Sequence, residues 1–269
     1  MKKNFIHVCF IIDESSSMYG SESDIIGGFN KTIKEQREVK DGQCAVSFFS
    51  FADNVVERFI GKDVNEVKEL TNGNMFGNKF YSHSSFLSLT SSVVNGVADV
   101  NVTINEDESN PLYQYCPNGC TAMNDGIGTA IDRIGRWLNN MEEDERPSKN
   151  LIVIMTDGEE NSSKEYSLAK VQDMIKHQTE KYDWSFVYMG MDITNAKAAD
   201  DLGINTRSFS SKDSSHMYRN YSNISEAASV YRSCVCSSYD ASLQMDTCLQ
   251  GSLGDVTKEY ENMINAKIG

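Results

Sequence analysis

Short, unbroken apolar runs alternate along the chain with longer segments whose apolar residues recur every three or four positions. Residues 5–12, FIHVCFII, form a β-rich run of strand length that ends at Asp13. This is the pattern of a central parallel strand covered on both faces. In 23–39, SDIIGGFNKTIKEQREV, Ile25, Ile26, Phe29 and Ile33 fall near helical spacing and the charges gather toward the end, which predicts a helix. CAVSFFSFAD (44–53) and NVVERFI (54–60) predict two strands joined by a tight turn at Asp53 and Asn54. Further on, Met123, Ile127, Ile131, Ile134 and Leu138 repeat every three to four residues, predicting a helix that begins near Thr121. NLIVIMTDGEEN (150–161) is a second fully apolar strand ending in an acid. A helix over 166–182, a strand over 184–191, a short helix over 195–203, an edge strand over 204–209 and a helical tail from Ser225 complete the pattern.

This alternation predicts an α/β fold: a doubly wound, mostly parallel central sheet flanked by helices with right-handed crossovers. Residues 62–118 break the rhythm. A short helical piece around VNEVKEL is followed by a stretch rich in Asn, Gly and Ser with scattered β-formers, read as an inserted β-rich excursion. The domain reading is therefore one α/β domain over 1–210, with the insertion between the third strand and the Thr121 helix. Residues 211–269 form a C-terminal helical extension packed on the same domain.

Composition narrows the function classes. With 269 residues, 39% of them hydrophobic, the chain is long enough for a substantial core. Its net charge of −14 gives the whole molecule the wrong sign for phosphate backbones or anionic lipid, so neither nucleic acid nor membrane is expected as a partner. No run approaches 18 apolar residues. The opening MKKNFIHVCFIID imitates a signal peptide, but its apolar run is short and no small-residue cleavage site follows, so it reads as a strand. Seven cysteines, an odd number and several inside apolar runs, read as ordinary thiols of a reduced compartment. A Cys116–Cys120 bridge would be the exception. The cysteine spacing matches no usual zinc pattern, and His7, inside a strand, reads as a packed imidazole.

Two apolar strands end in acids, Asp13 and Asp157, and Thr121 stands where a helix begins. In open α/β sheets ligands sit beyond the carboxyl ends of the strands, where strand order reverses. If the two acid-ended strands are neighbours, Asp13, Ser15, Ser17, Thr121 and Asp157 converge on one crevice. Such a set suits a hard divalent cation: Mg2+ takes six oxygens in a tight octahedron and sheds water reluctantly, so hydroxyls and water-bridged carboxylates serve it. Ser15 and Ser17, two apart, can aim their hydroxyls the same way. The plainer reading makes the same residues a turn and helix caps, and the two roles are compatible. Asp125, one helical turn after Thr121, reads either as a support behind the metal ligands or, slightly favoured, as a complement to the helix dipole.

At DESSSM, GCTAMNDGIGTAI and LIVIMTDGEEN the chain resembles the von Willebrand factor A (vWA) domain with its metal-ion-dependent adhesion site. The three stretches match, in order, that family's D-x-S-x-S-M turn, G-x-T-A-x-x-D-A-I helix start and strand with a second Asp. The resemblance covers roughly residues 4–210 apart from the excursion. YMGMDITNAKAADDLGI and ISEAASVYR also resemble small bacterial and phage vWA proteins. It implies a Rossmann-like vWA fold, with hydroxyl ligands from Ser15, Ser17 and Thr121 and with Asp13 and Asp157 acting directly or through water. Ser16 stands where glycine is frequent, and Gly126 where alanine is usual. The implied cofactor is Mg2+, with Mn2+ or Ca2+ as substitutes.

The expected function is a metal-dependent, adhesion-type binding module whose cation accepts an Asp or Glu from a protein partner. Alternatives are a structural or assembly component of a phage particle or bacterial stress-response complex and, less favoured, a metal-dependent phosphoesterase. The chain is not expected to be an enzyme, because it carries neither a D-x-D pattern at its first strand nor a phosphate loop nor a G-x-S-x-G elbow. A cytoplasmic location, or a virion-associated one for a phage-encoded chain, follows. Glu14, Glu159 and Glu160 are expected to add negative charge near the crevice. Tyr113, Tyr115, Phe80 and Tyr81 read either as a partner surface or as a small core of the insertion's own.

Overall fold

The computed structural model describes residues 1–73, 88–94, 97–103, 110–191, 196–209, 215–234 and 237–268. Its centre is a six-stranded sheet built from β1 (Lys2–Asp13), β2 (Gln43–Phe51), β3 (Val55–Asp63), β8 (Pro147–Thr156), β9 (Ser185–Gly190) and β10 (Thr206–Phe209) in the order β10-β9-β8-β1-β2-β3. Only β3 runs antiparallel to its neighbour. This is the doubly wound, Rossmann-like arrangement expected of a vWA-like fold. The chain leaves β1 for β2 on one side and later enters β8 on the other, so strand order reverses at β1.

Side chains of β1 alternate between two cores, as the pleat requires. Val8, Phe10 and Ile12 face one layer, where α1 (Glu22–Glu38), α5 (Ser215–Ser233) and α6 (Ser238–Ile268) bury Phe29, Tyr221 and Met245 among others. Cys9 and Ile11 face the other, with Ile127, Ile131 and Ile134 of α2 (Met123–Asn139), Val171 of α3 (Leu168–Tyr182) and Ala199 of α4 (Ala196–Leu202). Phe10 packs on Phe29 at 5.2 Å between ring centroids and on Tyr221 at 6.2 Å. Helix α1 approaches α5 closely at Gly28, where a Cβ would lie 2.0 Å from the Tyr221 ring.

Some boundaries depart from expectation. Around VNEVKEL only a 3-10 turn forms, Val64–Glu66, capped by the Asp63 carboxylate accepting from Asn65 N–H at 2.8 Å. Within the insertion, β5 (Ser88–Val94) and β6 (Val97–Thr103) pair antiparallel, and β4 (Thr71–Asn72) pairs parallel with β7 (Gln114–Tyr115). Tyr113 and Tyr115 belong to the main core rather than to a partner surface or a separate cluster. Phe80 and Tyr81 lie outside the described residues. The helical tail starts at Ser215, ahead of Ser225, and α6 buries Ala241, Met245, Leu249 and Leu253 at four-residue spacing.

Cys9, Cys44, Cys116, Cys120 and Cys248 are free thiols, so no Cys116–Cys120 bridge forms, but Cys234 is disulfide-bonded, contrary to the expectation of ordinary thiols throughout. His7 is fully buried between Asn150 Oδ1 (3.0 Å) and Ser47 Oγ (2.7 Å), and burial pushes its pKa down to about 4, so it packs as a neutral ring. Among the described residues no helix is long and apolar enough to cross a membrane.

Candidate metal centre

Because β1 and β8 are parallel neighbours with Ile12 opposite Met155, Asp13 and Thr156 leave the sheet side by side. The Thr156 hydroxyl donates to Asp13 Oδ2 at 2.6 Å, and Ser15 N–H donates to Asp13 Oδ1 at 2.7 Å. Asp13 is fully buried. Desolvation pushes its carboxyl up to about 6, against these hydrogen bonds, which hold it down; the nearby Asp157 charge adds a smaller upward push.

The chain then turns through a 3-10 turn, Ser16–Met18. Here the Ser15 and Ser17 hydroxyls lie 2.9 Å apart, and the Ser17 hydroxyl donates to Asp157 Oδ1 at 2.6 Å. Thr121 is buried at the entrance to α2. A Cβ placed on Gly158 would sit 3.2 Å from Thr121 Oγ1 and 3.4 Å from Ser17 Oγ, so both hydroxyls face the space that this glycine keeps open. The structure thus gathers Asp13, Ser15, Ser17, Thr121 and Asp157 at the carboxyl ends of β1 and β8. Ser16 is turned elsewhere: its hydroxyl accepts from Gly119 N–H at 2.9 Å while its own N–H donates to Gly119 O at 3.0 Å.

Loops on both sides hold this arrangement. Glu14 O accepts from Asn118 N–H at 2.6 Å, Tyr115 O–H donates to Asp13 O at 2.7 Å, and the Glu14 carboxylate accepts from Cys116 N–H at 3.2 Å. Gly119 adopts φ +90°, and a Cβ there would strike Asp53 Oδ2 at 2.3 Å, so this tight passage needs glycine on two counts. The end of the insertion is therefore clamped around the Asp13–Ser16 turn. Glu14 does not act as expected: it is buried and ion-paired with Arg58, so its charge is spent inside the protein.

A second clamp joins α2 to the loop after β8. The helix begins after Ala122, a residue with no capping side chain, and its first amides are satisfied from outside. Thr121 N–H donates to Asn161 Oδ1 (2.9 Å), Asn124 N–H to Glu160 Oε2 (2.7 Å) and Asp125 N–H to Ser163 Oγ (3.0 Å). In return Asp125 accepts from the N–H groups of Lys164, Glu165 and Tyr166 at 2.7–2.9 Å. Asp125 is thus a loop anchor more than a dipole complement, and Glu160 is a helix cap. Gly126 is explained by Phe51, whose ring would lie 2.8 Å from an added Cβ. Asn161, and the capping role of Glu160, were not legible in the sequence. Their only trace was the polar run GEENSS directly after an apolar strand.

The donor set fits a hard divalent cation: two carboxylates, three hydroxyls and no nitrogen or sulfur, around a glycine-lined gap. Among the described residues no three His, Cys, Asp or Glu side chains cluster to hold a metal, so the fit depends on the hydroxyls.

No family model and no curated protein matches the chain. Among solved structures it is similar to proximal thread matrix protein 1 from the mussel byssus, at 14% identity over 85% of this chain and 47% of that one, with TM-score 0.47. It is also similar to von Willebrand factor type A from Catenulispora acidiphila (12% identity, 85% of this chain and 43% of that one, TM-score 0.47). Manganese-loaded TRAP protein from Plasmodium vivax is a third, at 14% identity over 79% and 71% of the two chains, with TM-score 0.42. The chain spans about half the length of the mussel and Catenulispora chains. These likenesses concern overall fold and assign no residue a role.

Proposed function

We propose that the chain is a metal-dependent protein-binding module. The observation that carries this reading is the hydroxyl relay Ser15–Ser17–Asp157, closed by Thr121 across Gly158, beside the fully buried carboxylate of Asp13. Ser15, Ser17 and Thr121 supply neutral oxygens, and Asp13 and Asp157 supply the charge. A bound divalent cation, Mg2+ in the first instance, would offer an open coordination position to an Asp or Glu side chain of a protein partner. The proposed role is binding rather than catalysis.

Replacing Ser15 or Ser17 by alanine is expected to weaken Mg2+ or Mn2+ binding at least about tenfold in a calorimetric titration. Ser16→Gly loses only the bond to Gly119 and should leave the affinity unchanged; if it proved the most damaging of the three, the ligand assignment would fail. The partner is tested by capture from native lysate with and without chelator, using wild type and Asp13→Ala. A partner retained equally by all samples rules out a metal bridge for that interaction.

A further inference from the structure

Just past Thr121, a cavity of ≈ 230 Å3 opens between the start of α2, the loop after β8 and the α3 and α4 helices, lined by Met123, Asn124, Glu159, Leu168, Lys197 and Asp201 among others. It is smaller than the roughly 300–1,000 Å3 of typical small-molecule sites and is of a size for one long side chain. Its polar equipment is mostly acceptors. Asn124 is only 5% exposed, yet its Oδ1 receives no hydrogen bond, which is costly for a buried carbonyl. Glu159, Asp201 and the capping Glu160 set three carboxylates against the single ammonium of Lys197. The amides at and just before the start of α2 that would attract an anion are already taken by Asn161, Glu160 and Ser163. Met123 and Leu168 add apolar surface suited to an aliphatic stem.

We infer that this cavity is a second anchor, receiving a Lys or Arg side chain of the same protein partner whose carboxylate meets the cation. The inference rests on the metal-bridge reading for the second contact only. Asn124 Oδ1 and the carboxylates of Glu159 and Asp201 accept the partner's N–H groups, and the stem lies on Met123 and Leu168. Thr121 lies just before α2 and Asn124 is its second residue, three positions further on and so within about 11 Å along the chain, which makes the partner's acidic and basic residues near neighbours.

The test uses synthetic peptides carrying one Asp and one Arg separated by glycine spacers of increasing length, with citrulline replacing Arg or Asn replacing Asp in controls. Binding is measured in Mg2+ and in chelator. The expected result is that the best-spaced Asp–Arg peptide binds in Mg2+ and that citrulline weakens it by about tenfold. Asn124→Ala and Asp201→Asn should erase that preference while leaving the Mg2+ titration as in wild type. Equal binding of Arg and citrulline peptides, with both lost in chelator, overturns the cavity and leaves the metal bridge standing. An Arg preference that survives chelator and ignores Asp-to-Asn exchange supports the cavity and overturns the bridge. No binding by any peptide overturns the proposed pairing.

Discussion

In chelator at pH 7, Asp13→Asn is expected to raise the thermal midpoint of the protein, and in Mg2+ the same variant should show none of the stabilisation that wild type gains. Asp13 is fully buried, and its carboxyl is pushed up to about 6 from an ordinary 3.8. The folded state therefore binds this proton more tightly than the unfolded chain. Below the unfolded value both forms are protonated and the group is neutral in the balance; as pH rises through the folded value the burial penalty develops fully. A shift of about two units corresponds to about 3 kcal/mol at most, or several degrees for a chain of this size. Asparagine keeps the local bonds: its Oδ1 accepts from Ser15 N–H and its Nδ2 donates to Thr156 Oγ1, which already accepts from Gly158 N–H at 3.1 Å. Wild type at a hundredfold excess of cation over Kd would gain about 2.7 kcal/mol, and the variant would not. Melts in chelator at pH 7 and pH 4 check the sign, because the two proteins should converge at the lower pH. An Asn variant less stable than wild type in chelator at pH 7 would show that Asp13 is not held at a cost.

Arg232→Ala should cost stability on the order of 3 kcal/mol or more and leave the metal affinity intact. Arg232 is 4% exposed and closes the C-terminal end of α1, where carbonyls lack helical partners. It donates to Val39 O at 3.0 Å, Asp41 O at 3.1 Å, and both the main-chain and side-chain oxygens of Gln36. Truncation leaves these acceptors buried and opens a cavity among them. A midpoint drop of roughly 6–12 °C is expected. Lysine should recover little of it, since one ammonium cannot replace the fork of a guanidinium. The residue works at the amino ends of the strands, away from the crevice, so an accompanying loss of Mg2+ binding would contradict the separation between frame and site.

The strands were readable because their burial leaves an unambiguous mark. β1 and β8 are continuous apolar runs cut short by acids, and covering both faces demands such runs. Helix α2 announced itself through Ile127, Ile131 and Ile134, all buried on one face. The first part of α5 did not: Met217, Tyr221 and Ile224 are buried, but they are interleaved with Arg219, Asn220, Ser222 and Asn223, which masks the period. The clustering of Ser15 and Ser17 with Asp157 followed from the strand ends alone. The supporting bonds were not legible, because Asn161 capping Thr121 and Ser16 gripping Gly119 join residues 40 and 103 apart in the chain. Glu14 shows the same limit: sequence gives its charge but not the Arg58 that neutralises it.

The proposed binding function stands or falls with one cation held by Asp13, Ser15, Ser17, Thr121 and Asp157. Anomalous scattering from a crystal of the wild-type protein grown in Mn2+ tests it most directly. An anomalous peak is expected beyond the carboxyl ends of β1 and β8, within about 2.0–2.6 Å of the Ser15 and Ser17 hydroxyl oxygens, with the Ser17–Asp157 hydrogen bond rearranged to admit it. A peak that avoids these hydroxyls, or none at all with Ser17 still donating to Asp157, would contradict it.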